Sequence, residues 1–380
     1  EAVACYAAGV GRPADGSDSE HTASELAMER QFPGITRRLD RIPLTVVPTR
    51  VHPLEQLGRA RGIASLWVKR DDESGRLYGG NKPRKLEFLL GEARRRGSRT
   101  VMTFGGIGTH HGLATAICAR RAGMKATLVL VPQPVTDHVR RCLLLDEAYG
   151  AALHYATSPV SAAATAVRVW LRGALRGDPP FIIPTGGTSS VGVLGYVNAA
   201  FELAEQVRQG ELPEPTSVFL PLGSGGTVAG LALGLKLAGV RSRVVGVLVT
   251  DILPPSRARL ARLARGALRR LRAAEPKIPE VPLAPDDFTV ITGHLGQCYG
   301  APTEEGQEAQ RLLADLEGIH IETTYTAKCL AALLQLATEP PYRGNRLLFW
   351  NTYSSVDPGA GIGALPDFRR LPEPFHRFFI

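Results

Sequence analysis

Short apolar runs alternate with longer helical patterns along most of the chain after Arg38. The runs TVMTF, KATLVLVP, SVFLPL and RVVGVLVT are each followed by a segment whose apolar residues recur at helical spacing. Near-continuous apolar strands separated by helices are typical of a parallel sheet that helices cover on both faces. The pattern therefore predicts an α/β fold.

Breaks rich in Pro and Gly indicate where the chain could divide. They occur in RGDPPFIIPTGGTSS and RQGELPEPTS, so a boundary is expected between Asp178 and Ser217. Residues 1–37 contain many Ser, Asp, Glu, Gly and Ala residues before the first apolar strand pattern. We expect them to form a loose N-terminal extension.

The positive charge of the chain is concentrated in one segment. The chain has 380 residues, is 44% hydrophobic and 21% charged, and carries a formal charge of +9. Seven arginines lie in Ser256–Ala274, where Leu260, Leu263, Ala267 and Leu271 recur at helical spacing. This favours a surface helix with a packed stripe and a solvated arginine face over an anionic partner or a membrane surface. We therefore expect no nucleic-acid partner.

The cysteines and the hydropathy argue for a reducing compartment and against a membrane. The five cysteines are scattered and form no CxxC pair, which disfavours a disulfide framework or a zinc site; they are Cys5, Cys118, Cys142, Cys298 and Cys329. No apolar run approaches the roughly 20 residues of a membrane helix. The segment AVACYAAGV lacks the basic flank of a secretory signal. We expect a cytoplasmic protein without a membrane partner.

The segment FLPLGSGGTVAGLALGL contains the strongest glycine-rich turn. A strand is predicted to end at Leu222 and a helix to begin just after the turn, which consists of Gly223, Ser224, Gly225, Gly226 and Thr227. Unpaired N–H groups at a helix start, together with two hydroxyls, favour an anion. A Walker loop would need a following Lys, and a dinucleotide fingerprint would need a small residue at Val228. A small phosphate monoester is therefore predicted here, and a simple tight turn is the alternative.

The segment GGNKPRKLEFLLGEARRRG places Lys82 at the start of a second helix. Asn81 is predicted to be the N-cap, Pro83 suits the first turn, and the apolar stripe leads to Gly97. The positive end of the helix and the neighbouring Arg84 and Lys85 are expected to lower the pKa of Lys82. A neutral amine can form a Schiff base with an aldehyde. Exposed surface lysines are the alternative.

Pyridoxal 5'-phosphate carries both an aldehyde and a phosphate, so this one cofactor would account for both the phosphate site and the nucleophilic lysine. At this point several segments together resemble one family. They are VKRDDESGRLYGGNKPRKLEFLL, TFGGIGTHHGLATA, IPTGGTSSVGVLGYVNAAFEL, LGSGGTVAGL and EGIHIETTYTAKCLAAL. In collinear order over residues 38–360 they resemble the D-cysteine desulfhydrase and 1-aminocyclopropane-1-carboxylate deaminase family, in the tryptophan-synthase-β-like, fold type II class of enzymes that use this cofactor.

The resemblance implies an architecture and an assembly. It implies two open, mostly parallel twisted sheets covered by helices, in a homodimer. A small α/β domain, residues 86–195, would be inserted into a large cofactor-binding domain formed by residues 38–85 and 196–380.

The resemblance also assigns residues of the cofactor site. Lys82 matches the lysine that binds the cofactor covalently and moves a proton at the substrate α-carbon, and Asn81 is its neighbour. Lys85 matches a second lysine at the site entrance, where substrate binds. Gly223 to Thr227 match the phosphate loop.

The loop Gly105–His111 lies between a predicted strand and helix, so its N–H groups can hold a substrate carboxylate. Where the family has Gln-Ser-Asn, this chain has Gly108, Thr109 and His110. A threonine hydroxyl could replace the catalytic serine, and His110 could replace the asparagine that contacts the cofactor. Neighbouring His110 and His111 point about 100° apart on a helix, so no metal site is expected.

Two tyrosines and two threonines complete the residues that the resemblance implies. Tyr299 and Tyr325 match family tyrosines near the substrate, where a phenol can relay a proton; taken singly, each would be read as half-buried core. Cyclopropane deaminases carry a glutamate after this second tyrosine and a leucine later, where this chain has Thr326 and Thr352. Both threonines favour the desulfhydrase branch, with Thr326 binding substrate and Thr352 facing the cofactor. The bulky Tyr353 replaces a glycine.

We therefore expect an enzyme that uses pyridoxal phosphate to eliminate a β-leaving group from a small amino acid, giving a 2-oxo acid and ammonia. D-cysteine is the favoured substrate. The alternatives are a 1-aminocyclopropane-1-carboxylate deaminase, a family member with another amino-acid substrate, and a cofactor-binding paralogue with little turnover. A dinucleotide-binding reductase is the most distant of them.

Overall fold

The computed structural model describes residues 25–252 and 254–380, apart from the Thr36 side chain. Two sheets form its framework. In chain order the strands are β1 Val51–Pro53, β2 Leu66–Lys69, β3 Thr100–Gly106, β4 Lys125–Val131, β5 Ala152–Tyr155, β6 Phe181–Ile182, β7 Ser217–Leu222, β8 Arg243–Leu248, β9 Thr289–Ile291 and β10 Leu347–Trp350. The helices are α1 Ala27–Gln31, α2 Glu55–Ala60, α3 Asn81–Arg95, α4 His110–Arg121, α5 Asp137–Ala148, α6 Pro159–Leu175, α7 Leu194–Arg208, α8 Gly226–Leu237, α9 Arg257–Ala274, α10 Glu304–Glu317 and α11 Thr326–Leu336.

The larger sheet has six strands in the order β1-β2-β10-β7-β8-β9, and the smaller has four in the order β5-β4-β3-β6. Every pairing is parallel except that of β1 with β2. Strands β7 and β10 are buried along their whole length, which explains their unbroken apolar sequences SVFLPL and LLFW. The predicted α/β class with two mostly parallel sheets is confirmed.

The sheet order determines which loops meet. Because β7 and β10 are parallel neighbours, the turn after Leu222 and the segment after Trp350 leave the same edge of the larger sheet. All four strands of the smaller sheet lie within residues 100–182. The helix α3 joins the two sheets in sequence, and its first residues lie beside the segment after β10.

The predicted surface helix with a packed apolar stripe is confirmed for the arginine-rich segment. Helix α9 buries Leu260, Ala267 and Leu271, and Leu263 is half-buried. Most of its arginines are exposed, although Arg270 donates a hydrogen bond to Ser190 Oγ at 2.8 Å.

The prediction of a loose N-terminal extension is wrong for residues 25–37, and its first 24 residues lie outside the described part. Helix α1 packs against α7, and Met28 is buried. The Met28 N–H donates a hydrogen bond to Asn198 Oδ1 at 3.1 Å. Leu26 and Ile35 belong to the main hydrophobic core and hold this segment in place. The prediction failed because it considered only the overall polar composition of the segment.

Candidate active site

Lys82 lies in the first turn of α3, and a glycine permits its approach to the larger sheet. Gly80 has φ +79°, and a Cβ there would lie 2.5 Å from the Thr352 carbonyl oxygen. The Asn81 N–H donates a hydrogen bond to that same carbonyl at 3.2 Å. Only a residue without a side chain can make this contact, so Gly80 fixes Lys82 against the end of β10.

The prediction that Asn81 is the N-cap is wrong, because Asn81 is already the first helical residue and Gly80 is the N-cap. The Asn81 side chain instead donates a hydrogen bond to Thr227 Oγ1 at 3.2 Å. It therefore joins the start of α3 to the start of α8. Its Oδ1 is buried and has no hydrogen-bond partner in the described part of the chain.

The Lys82 amine has a lowered pKa, as predicted, but for a different reason. Burial lowers the pKa of Lys82 from 10.5 to about 8, and the negative charge of Glu322 opposes this effect. Arg84 does not contribute, because its guanidinium binds Asp71 at 2.7 Å and Glu202 at 2.9 Å. The sequence could not show that buried carboxylates would neutralise the charge of Arg84.

The turn Gly223–Thr227 has the form that the sequence predicts. Strand β7 ends at Leu222, Gly225 has φ +94°, and α8 begins at Gly226. Helix α8 has no side-chain cap, so its first N–H groups remain available to an anion. The Ser224 hydroxyl lies 2.6 Å from Thr188 Oγ1, which belongs to a segment that the sequence did not assign to the site.

Lys85 lies beside this turn and not at an open entrance. Its side chain is buried, and its Nζ donates a hydrogen bond to the Gly186 carbonyl at 3.2 Å. A Cβ placed on Gly226 would lie 3.4 Å from that Nζ. Burial, followed by the charge of Lys82, lowers the pKa of Lys85 from 10.5 to about 7. The position suits contact with a phosphate better than contact with an entering substrate.

The loop between β3 and α4 also begins a helix, as predicted. Thr109 is the N-cap of α4, and its Oγ1 accepts a hydrogen bond from the Gly112 N–H at 3.3 Å. Gly108 has no room for a side chain, because a Cβ would lie 2.7 Å from Val139 and 2.9 Å from Gln133 Nε2. Gln133 Oε1 accepts a hydrogen bond from the Gly108 N–H at 3.2 Å. A glutamine from the loop after β4 therefore fills this space, a relation that no local motif reveals.

His110 is surrounded by aromatic side chains. Its Nδ1 lies 3.0 Å from the Tyr78 hydroxyl, and its ring stacks on His138 with centroids 4.8 Å apart. The Tyr353 ring lies nearly perpendicular to the same ring, with the two centroids 6.4 Å apart. Burial, assisted by the charge of Lys82, lowers the pKa of His110 to about 3. The imidazole is therefore neutral at physiological pH and can both donate and accept hydrogen bonds.

His111 is buried behind this loop. Burial, followed by the charges of Lys85 and Lys82, lowers the pKa of His111 to about 3. Neither ring nitrogen makes a hydrogen bond of normal geometry with a described residue. No three His, Cys, Asp or Glu side chains within residues 25–252 and 254–380 come together as a metal site would require.

Tyr325 and Tyr299 meet next to Lys82. The Lys82 Nζ lies 5.9 Å from the centre of the Tyr325 ring, and a Cβ on Gly223 would lie 3.5 Å from the same ring. The hydroxyls of Tyr299 and Tyr325 are hydrogen-bonded to each other. Burial raises the pKa of Tyr325 well above 10, so its hydroxyl keeps its proton.

The two threonines differ in their environment. Thr352 is buried, and its backbone carbonyl accepts the hydrogen bond from the Asn81 N–H. Thr326 is fully buried, and its hydroxyl donates a hydrogen bond to Glu322 Oε1 at 3.0 Å. This contact turns the Thr326 hydroxyl towards its own helix start, which is not the arrangement expected of a substrate-binding group. Glu322 itself was missed in the sequence, since an acidic residue before a helix usually signals only a cap.

The residues present fit a ligand that carries an aldehyde and a phosphate. Lys82 supplies an amine that is partly neutral near pH 8. The start of α8 supplies unpaired N–H groups, and the hydroxyls of Ser224 and Thr227 and the Lys85 amine lie around it. The unpartnered Asn81 Oδ1 adds a buried polar atom between the two groups. This set is complementary to pyridoxal phosphate.

Comparisons with known proteins agree with this chemistry. Residues 42–352 match the family model described as pyridoxal-phosphate dependent enzyme. The chain is 35% identical to nocardicin C-9' epimerase of Nocardia uniformis subsp. tsuyamanensis, over 86% of this chain and 97% of that protein. It is 32% identical to D-cysteine desulfhydrase of Klebsiella pneumoniae (strain 342), over 80% of this chain and 91% of that protein. The crystal structure of an ACC deaminase homologue superposes with a TM-score of 0.72 at 30% identity, covering 85% of this chain and 95% of that chain. The chain therefore belongs to the family of pyridoxal-phosphate-dependent enzymes.

Proposed function

We propose that this enzyme removes the α-proton of an amino acid and eliminates a β-leaving group, releasing a 2-oxo acid and ammonia. The observation that carries the proposal is the Lys82 amine, whose pKa is about 8, held beside a phosphate-binding helix start. When bound, pyridoxal phosphate joins the substrate nitrogen covalently and withdraws electrons from the α-carbon. D-cysteine is the favoured substrate.

In this proposal Lys82 takes the proton from the substrate α-carbon, because a neutral amine can act as a general base near neutral pH. The N–H groups at the start of α8, together with Lys85, bind the phosphate. The N–H groups of Gly108 and Thr109 are already bonded to Gln133 Oε1 and the Gly106 carbonyl, so the first unpaired N–H groups of α4 would bind the substrate carboxylate. The Thr109 hydroxyl is placed to donate or accept a proton. The paired hydroxyls of Tyr299 and Tyr325 relay protons at the side of Lys82.

His110 and Thr352 hold the cofactor ring in the proposed arrangement. His110 is neutral and already oriented by Tyr78, so it can donate a hydrogen bond to a phenolic oxygen. A Thr352 hydroxyl at the pyridine nitrogen would leave that nitrogen largely unprotonated, which is sufficient when a good leaving group departs. Opening a cyclopropane ring would be harder. This reasoning favours the desulfhydrase over the deaminase.

A second candidate reaction is inversion at the α-carbon. It is favoured by the similarity to nocardicin C-9' epimerase, which extends over 97% of that protein. Inversion begins with the same proton removal at Lys82 but returns a proton to the opposite face, and no bond to the β-carbon breaks.

One assay separates these reactions. The purified enzyme is incubated in D2O with a panel of D- and L-amino acids, and 2-oxo acid, ammonia, deuterium uptake and chirality are measured. Pyruvate and ammonia from D-cysteine support the proposal, whereas 2-oxobutanoate from the cyclopropane substrate supports the deaminase. Deuterated substrate of inverted configuration without 2-oxo acid supports the epimerase. A yellow protein that changes none of these substrates is a cofactor-binding paralogue.

The assignment of Lys82 is tested separately with borohydride. Reduction of the yellow protein should fix the cofactor on the peptide that contains Lys82, and Lys82→Ala should abolish both the label and the activity. Label on another lysine contradicts the assignment.

We further propose a homodimer in a reducing cytoplasm, with the domain division 38–85 plus 196–380 and 86–195. Within the described part of the chain no helix is long and apolar enough to cross a membrane. Its four cysteines are free, and three of them are buried, as expected where thiols stay reduced. Light scattering of the purified protein tests the dimer.

A further inference from the structure

Glu322 lies in the segment between α10 and α11, three residues before Tyr325. Its carboxylate accepts hydrogen bonds from three successive N–H groups, those of Thr324 at 2.7 Å, Tyr325 at 3.0 Å and Thr326 at 2.8 Å. The Thr326 hydroxyl donates a fourth bond to it at 3.0 Å. These N–H groups would otherwise be unpaired at the start of α11.

The same carboxylate fixes a side chain of the site. Tyr325 is the N-cap residue of α11 and makes no side-chain cap of its own, so Glu322 determines the backbone from which its ring projects. That ring lies between Lys82 Nζ and Gly223 and reaches the Tyr299 hydroxyl. A rotation of this backbone would therefore move the phenol away from the amine.

The charge of Glu322 also acts across the site. It opposes the effect of burial on the pKa of Lys82, and burial remains the larger cause. The titratable groups on which its charge acts belong to six segments of the chain; they are Tyr78, Lys82, His138, Tyr299, Tyr325, Lys328 and Tyr353. A carboxylate that only capped a helix would not need this central place.

We propose that Glu322 is a positioning residue of the active site: it fixes Tyr325 against Lys82 and supplies the negative charge that stabilises the protonated form of the Lys82 amine. The proposal rests on the proposed function, because that function gives Lys82 and Tyr325 their roles in the reaction. It adds that the proton held by Lys82 after substrate deprotonation is stabilised by Glu322, which itself touches neither substrate nor cofactor.

The test uses Glu322→Gln, which keeps the shape of the side chain but removes its charge. In the full-length protein freed of cofactor, the pH dependence of Lys82 acetylation by acetic anhydride is followed by peptide mass spectrometry. We expect the midpoint to move down by about 1 pH unit, because the opposing charge is lost. The matched control is Ser158→Ala, which removes the side-chain cap of α6, whose hydrogen bonds stay within its own turn, and should leave the midpoint unchanged.

The orientation of Tyr325 is read by ¹⁹F NMR of the full-length protein containing 3-fluorotyrosine, with Tyr325→Phe to assign the signal. We expect the signal to shift or broaden in Glu322→Gln but not in Ser158→Ala. If Glu322→Gln does not fold, Thr326→Val removes one bond to the carboxylate and should shift the same signal. An unchanged midpoint together with an unchanged signal overturns the proposal and leaves Glu322 as a helix cap. Because neither measurement needs cofactor or turnover, a failure of the proposed reaction is recognised separately.

Discussion

Lys85 offers a direct test of the proposed phosphate site. Its amine is buried beside Gly226 and meets the positive charge of Lys82 instead of a carboxylate. The folded, cofactor-free protein therefore carries a cation that it solvates poorly. A bound phosphate would supply the missing negative charge.

The size of this effect follows from the pKa. Lowering the pKa of Lys85 from 10.5 to about 7 corresponds to about 4 to 5 kcal/mol of lost stability when the amine is charged. The unfolded chain keeps this proton up to about pH 10.5, whereas the folded chain releases it near pH 7. The penalty is therefore fully present below about pH 7 and disappears as the pH rises towards 10.5. Cofactor-free protein should become more stable over this window.

We predict that Lys85→Met stabilises the cofactor-free protein at pH 6.5 to 7 by a few kcal/mol and flattens the rise of stability with pH. The rise that remains reflects Lys82 and the other lysines whose pKa burial lowers, Lys69 and Lys328. Urea unfolding at several pH values measures both quantities, and millimolar inorganic phosphate should stabilise the wild type more than the variant. The exposed Lys277→Met is the control and should follow the wild type. A variant that is less stable than the wild type at pH 7, with an unchanged pH slope, would refute the reasoning.

Three other changes test separate parts of the site. Gly80→Ala should lower the free energy of unfolding by about 2 to 4 kcal/mol in urea, because its Cβ would meet the Thr352 carbonyl at positive φ; a loss below about 0.5 kcal/mol would contradict the contact. Arg84→Met should cost about 3 to 5 kcal/mol, because it leaves the buried Asp71 carboxylate without its ion-pair partner and Glu202 with Lys69 alone, whereas the exposed Arg262→Met should change stability by less than about 0.5 kcal/mol. His110 should not titrate between about pH 5 and 9 in NMR spectra of ¹⁵N-histidine-labelled protein, because its pKa is about 3; an inflection near pH 6.5 would show that its ring is solvated.

Features that depend on consecutive residues were predictable from the sequence. The turn at Gly223–Thr227 is a strand end, a set of glycines and a helix start in one uninterrupted segment, and its structure is as predicted. Helix α9 likewise has the buried stripe that its periodicity predicts. The roles of Lys82 and the tyrosines came from motifs in the sequence, and these side chains do lie together.

Features that depend on distant partners were missed or misread. Gln133 fills the space at Gly108 from another loop, and His138 stacks on His110 from α5. The N-cap expected at Asn81 was wrong because Gly80, held at positive φ against the segment after β10, starts α3 one residue earlier. Local N-cap preference could not anticipate this distant contact.

By itself, the sequence determined the α/β class and the glycine turn at the start of α8, and it pointed to Lys82 as the proposed reactive lysine, because periodicity, glycine conformation and a motif at fixed spacing are local properties. The tertiary structure decided how each side chain is charged and oriented. It pairs Arg84 with buried carboxylates and leaves Lys85 without a negative partner. It also places the Glu322 carboxylate against the Tyr325 backbone. Desolvation and Coulomb energies depend on which groups the fold buries together, and that arrangement exists only once the two sheets and their loops have come together.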